Sequence, residues 1–109
     1  MINIEKYGYE YTFIFDSEED IQSFIYSLNH QSDLICIMNN SRFTVKFVKS
    51  NESTFSVFKK HYIILYLDSE DISDISELLQ IQEDSFVLDT FFEVKTIKNK
   101  TVIFYAYRK

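Results

Sequence analysis

Residues 13–20 read FIFDSEED and residues 65–71 read LYLDSED. The two strings share one grammar, an apolar run that ends in an acidic, serine-containing junction, about 52 residues apart. Asp16 or Ser17 can accept from the free N–H groups of a first helical turn, and an acid three positions later, Glu19 or Asp20, completes a capping box. Asp68-Ser69-Glu70-Asp71 repeats the signal, and its acids suit the positive end of a helix dipole. Ile21, Phe24, Ile25 and Leu28 then recur at helical spacing, with Asn29 and His30 closing the element. Ile72, Ile75 and Leu79 do the same in the second half, with Leu78 beside them.

Working outward, Tyr7, Tyr9, Tyr11, Phe13 and Phe15 alternate with other residues, a period-two strand that leads into the first helix. Tyr62–Leu67 leads into the second and is apolar enough to be buried on both faces. Two strand-like runs follow each helix. In the first half they are Leu34–Met38 and residues 42–49, joined at Asn39-Asn40-Ser41, where Asn tolerates positive φ. In the second they are residues 86–97 and Thr101–Arg108, joined near Lys98-Asn99-Lys100. Residues 53–60, with Phe55 and Val57 alternating, read either as an extra strand or as the start of a long bent strand reaching Leu67. Each half is therefore βαββ.

The expectation is one α+β domain over residues 1–109, with pseudo-repeat halves near 1–52 and 53–109. A mostly antiparallel sheet of six to seven strands carries two helices on one face. The nearest alternative is a ferredoxin-like βαββαβ core with an extra C-terminal strand.

The chain has 109 residues, enough for a core without metal or disulfide staples. Its longest apolar run, Tyr62–Leu67, is far below the ~20 residues of a membrane span. No signal peptide is visible, and the single cysteine, Cys36, suits a reducing compartment. These features indicate a cytoplasmic protein without a membrane partner. Phe, Tyr, Met, Ile, Asn and Lys dominate over Gly, Ala, Arg and Pro, the imprint of an AT-rich bacterial or phage genome.

Chemical motifs are sparse. His30, His61 and Cys36 lack metal-ligand spacing, so neither a metal nor a cofactor is expected. Asp16, Glu18 and Asp20 match the start of a calcium loop, but Ile21 stands where the loop needs glycine and Ser27 where it needs glutamate. One glycine forbids a glycine-rich phosphate loop. Cys36 lies in an apolar strand, where burial quiets a thiol. Asn39, Asn51 and Asn99 each begin an N-x-S/T triplet, which in a reducing compartment reads as a turn. No catalytic residues are assigned and no enzyme activity is expected.

Charge is the informative pattern. Residues 1–36 carry a net −6, residues 37–60 +4, residues 61–94 −9 and residues 95–109 +5. If both helices pack on one side of the sheet, Asp68, Glu70, Asp71, Asp74 and Glu77, with Glu18 and Glu19, form one acidic surface. Such a surface attracts a basic or nucleic-acid-binding protein and repels nucleic acid. The expected function is a small acidic protein that binds and neutralises another macromolecule, such as a toxin-immunity protein or a phage inhibitor of host defence. A bland alternative is a solvated helix face. A second reading is an RNA- or DNA-binding sheet built from Phe43, Lys46, Phe47, Tyr105 and Arg108, opposed by the net charge of −6. A third is a small-molecule site lined by Tyr and His between the halves. Long alternating strands also allow a homodimer through sheet edges.

Overall fold

A computed structural model describes the backbone of residues 1–109 and the side chains of all residues except Val57, Phe58 and Lys59. The elements are β1 (Asn3–Tyr7), β2 (Glu10–Phe15), α1 (Glu18–His30), β3 (Leu34–Met38), β4 (Ser41–Lys49), β5 (Thr54–Lys59), β6 (Tyr62–Leu67), α2 (Ser69–Gln80), β7 (Phe86–Thr96) and β8 (Thr101–Arg108). Each half is thus ββαββ, one strand more than the expected βαββ.

The added strand of the first half comes from the lone glycine. The alternating stretch from Tyr7 to Phe15 is not one strand, because Gly8 adopts φ +59 and turns the chain between β1 and β2. The added strand of the second half is the doubtful segment after residue 52, which is a separate strand paired antiparallel with β6. The side chains of Val57 and Phe58, part of the alternation read there, lie outside the described residues.

Eight strands form a closed barrel in the order β1-β2-β8-β7-β5-β6-β4-β3. This corrects the expected six to seven mostly antiparallel strands. The four hairpins are antiparallel, and the four contacts between hairpins are parallel. The reason is the helical crossover, which returns the chain so that each half's second hairpin runs alongside its first. The alternative βαββαβ core is excluded by the same feature, since each helix connects hairpins rather than single strands. Renumbering β1–β4 as β5–β8 reproduces every pairing, so the topology has a pseudo-twofold relation.

The joints differ in strength. β2 with β8, and β4 with β6, share six residue pairs each. β1 meets β3 at one pair, Asn3 with Ile37, and β5 meets β7 at two.

One face of every strand points inward. Phe13, Phe15, Val45, Leu65 and Phe104 are completely buried. Phe104 stacks on Phe92 at 4.5 Å and on Tyr11 at 5.3 Å. The helices supply the rest of the same core with Ile21, Phe24 and Leu28 from α1 and Ile72, Ile75 and Leu79 from α2. Phe24 joins the layers, its ring 5.0–5.8 Å from those of Phe13, Phe47, Phe15 and Phe91. The helices lie side by side, with Asn29 Nδ2 donating to Ser76 Oγ at 2.9 Å.

Candidate functional site

Strand directions sort the surface into two ends. β1 and β3 run parallel and each ends in a hairpin turn, and β5 and β7 do likewise. The Ile103 N–H donates to the Tyr9 carbonyl and the Thr44 N–H to the His61 carbonyl, both at 3.0 Å. These bonds set the turns at one end of the barrel as two adjacent pairs, 8–9 beside 97–100 and 39–40 beside 60–61. The strand-to-helix junctions and both helices occupy the other.

The charge blocks segregate with this topology. Lys6, Arg42, Lys59, Lys60, Lys95, Lys98 and Lys100, seven of the eleven Lys and Arg residues, stand in the four turns or within two residues of them along the chain. Glu10 is the one carboxylate equally close to a turn. Neither helix contains Lys or Arg, and their starts carry Asp16 to Asp20 and Asp68 to Asp71.

Several helix-end acids hold structure. Ser17 is the α1 N-cap and accepts from the Asp20 N–H, while Asp20 Oδ2 accepts from the Asp16 N–H at 2.9 Å. Asp68 is the α2 N-cap and accepts from the Asp71 N–H at 2.8 Å. Ser53 links that cap to β5: its hydroxyl donates to the Asp71 carboxylate and accepts from the Asp68 N–H at 3.1 Å. Asp68 and Asp71 are therefore engaged locally. Glu18 is exposed but pairs with the Arg108 guanidinium at 3.2 Å. Glu19, Glu70, Asp74 and Glu77 are exposed, with no ion pair among the described residues.

The last three stand at i, i+4 and i+7, one stripe of α2 opposite its buried face. Beyond its first turn, the exposed face of α1 is neutral, with Gln22, Ser23, Tyr26, Asn29 and His30. Tyr26 is 60% exposed and stacks on His30 at 4.1 Å. The acidic surface is thus one-sided rather than shared equally by the helices.

The sheet proposed for nucleic acid does not assemble. Phe43 and Phe47 are buried in the core and present no ring to a base. Lys46 pairs with Asp33 at 3.1 Å and lies 5.7 Å from the Tyr62 ring. The Tyr105 hydroxyl donates to Glu10, and that bond raises its pKa. Arg108 is committed to Glu18, and its buried Nε has no partner among the described residues.

Cys36 is fully buried, and desolvation, reinforced by the Asp20 carboxylate, pushes its thiol up to about 12. Among the described residues no group of three or more His, Cys, Asp or Glu could hold a metal ion. No described helix is long and apolar enough to cross a membrane. The cleft between the helices, about 530 Å³, is lined by polar side chains including Asn29, Lys49, Ser73 and Glu77, not by the Tyr and His expected there. A larger groove of about 1040 Å³ runs beside α1 and does include Tyr26 and His30, within one half.

Comparison with known proteins found no matching family model, no matching curated protein and no matching solved structure.

The turn-end cations were not grouped by sequence reasoning. The available signal was the overlap of both basic blocks with the turn residues Asn39-Asn40 and Asn99.

Proposed function

We propose that this chain is a non-enzymatic binding protein that engages a basic macromolecule with its helix end. Neutralising that partner, as an immunity protein or an inhibitor of a defence system does, is the role we assign. The supporting observation is the exposed stripe Glu70, Asp74 and Glu77, free of ion pairs among the described residues and beside the neutral, aromatic face of α1. Exposed carboxylates that are not held in ion pairs steer a basic partner and raise its association rate. Tyr26 is the natural anchor, because aromatic rings at an interface centre carry a disproportionate share of binding energy.

Asp68 and Asp71 are excluded from the test because they hold the α2 cap. Tagged wild-type protein and a Glu70→Lys, Asp74→Lys, Glu77→Lys variant are used for capture from lysate of the native host, with and without nuclease. The expected result is a stoichiometric basic protein that survives nuclease, is held by wild type and is lost with the variant. Equal capture by both proteins, or capture that vanishes with nuclease, contradicts the reading.

A further inference from the structure

We infer that the turn end of the barrel binds single-stranded nucleic acid. This surface shares no residue with the helix-end stripe, so the two readings stand or fall separately.

The inference starts from what the turn-end cations lack. Lys6, Arg42, Lys60, Lys95, Lys98 and Lys100 make no ion pair among the described residues. Lys95 Nζ donates to the Thr101 hydroxyl, and Lys6 Nζ sits 5.8 Å from the Tyr11 ring, so neither is neutralised. Glu10 and Glu93 are the nearby acids, both in register with Ile103, and the Glu10 carboxylate accepts from Tyr105.

The second observation is aromatic exposure in the same place. Tyr7 and Tyr9 flank Gly8 and are 76% and 54% exposed. The Ile103-to-Tyr9 bond sets this turn beside residues 97–100, where Ile97 is 90% exposed between Lys95 and Lys98. Two open rings with Lys6 at one turn therefore stand beside Lys95, Lys98 and Lys100 at the adjoining one. Bases stack on rings, phosphates follow cations, and this pairing is tolerant of sequence. A duplex hides its base faces and gains nothing from the rings, so the single strand is favoured.

The net charge of −6 does not oppose this locally. The molecule measures 37 × 31 × 25 Å, whereas charges are screened over about 10 Å at 0.1 M salt. The acids of the helix end are therefore largely silent at the turns.

Fluorescence anisotropy of a labelled oligothymidylate of about twelve nucleotides tests the inference. With about four phosphate contacts, affinity should fall roughly 50-fold between about 50 and 200 mM salt. Lys98→Glu with Lys100→Glu should weaken binding about tenfold or more. Tyr7→Ala and Tyr9→Ala should each weaken it about fivefold or more, with Tyr9→Phe close to wild type. Circular dichroism of each variant confirms that the fold is kept, since all four positions are exposed. Absence of binding at low salt, unchanged affinity in the lysine variant, equal affinity for duplex, or displacement by polyglutamate at equal charge concentration would overturn it. The last outcome would assign the end to an acidic protein.

Discussion

The two ends of this barrel carry opposite charges, and the charges are employed differently. At the helix end, acids are partly structural: Asp20, Asp68 and Asp71 satisfy backbone or hydroxyl donors around the helix starts, and Glu18 holds Arg108. At the turn end, the cations stand without ion pairs among the described residues. Charge that serves folding cannot be altered without altering stability, whereas charge left over from folding can be. That contrast separates Asp71 from Asp74, three residues apart on one helix.

The strongest way to sharpen the comparison is through the core that anchors the helix end. Phe24 meets four rings from β2, β4 and β7, and Phe24→Ala should cost roughly 3–5 kcal/mol, read from urea unfolding. Tyr9→Ala at the turn end should change stability by only about 0.5 kcal/mol. Similar losses at both sites would erase the distinction.

Alkaline pH probes the interior next. Burial pushes the Cys36 thiol to about 12, with Asp20 adding to the rise and the Met1 amine opposing it, and burial alone pushes Tyr11 to about 12. A folded state that retains a proton which the unfolded chain releases loses stability as pH rises. The loss from Cys36 should begin near pH 8.5, the ordinary thiol value, and approach about 1.4 kcal/mol per pH unit. Cys36→Ala should move the onset toward pH 10, where Tyr11 takes over. An unchanged onset in thermal melts from pH 7 to 11 would contradict this account.

A smaller effect separates the acids themselves. Asp71→Ala removes the carboxylate that accepts from Ser53 and should cost about 1–2 kcal/mol. Asp74→Ala should lie within about 0.5 kcal/mol of wild type. The smallest effect belongs to the turn end, where Lys98→Glu with Lys100→Glu should leave the unfolding midpoint nearly unchanged.

These contrasts also show what was legible in the sequence. Ser17 and Asp68 are the helix caps, Ile21, Phe24, Leu28, Ile72, Ile75 and Leu79 form the inner helix rows, and Asn39 and Asn40 take positive φ, all expected from residue type and spacing. Period two concealed the break at Gly8, because the odd-numbered aromatics continue their alternation across the turn. Tyr7 and Tyr9 consequently passed for strand residues, although both are exposed beside the turn. Barrel closure was invisible, since it rests on three residue pairs at two joints, Asn3 with Ile37, Thr54 with Lys95 and Phe55 with Thr96. Burial of Phe43 and Phe47 agreed with their alternation along β4. The charge blocks were plain, but only the strand directions reveal that acids predominate at one end and bases at the other.

The most direct test is a two-ligand titration of ¹⁵N-labelled protein followed by amide chemical shifts. An oligothymidylate should move the amides of residues 7–9 and 97–100, and an arginine-rich peptide should move those of α2 and the first turn of α1. The two ligands, being opposite polyions, are added to separate samples, and each should saturate. Both ligands moving the same amides, or neither saturating, would contradict the assignment of separate tasks to the two ends.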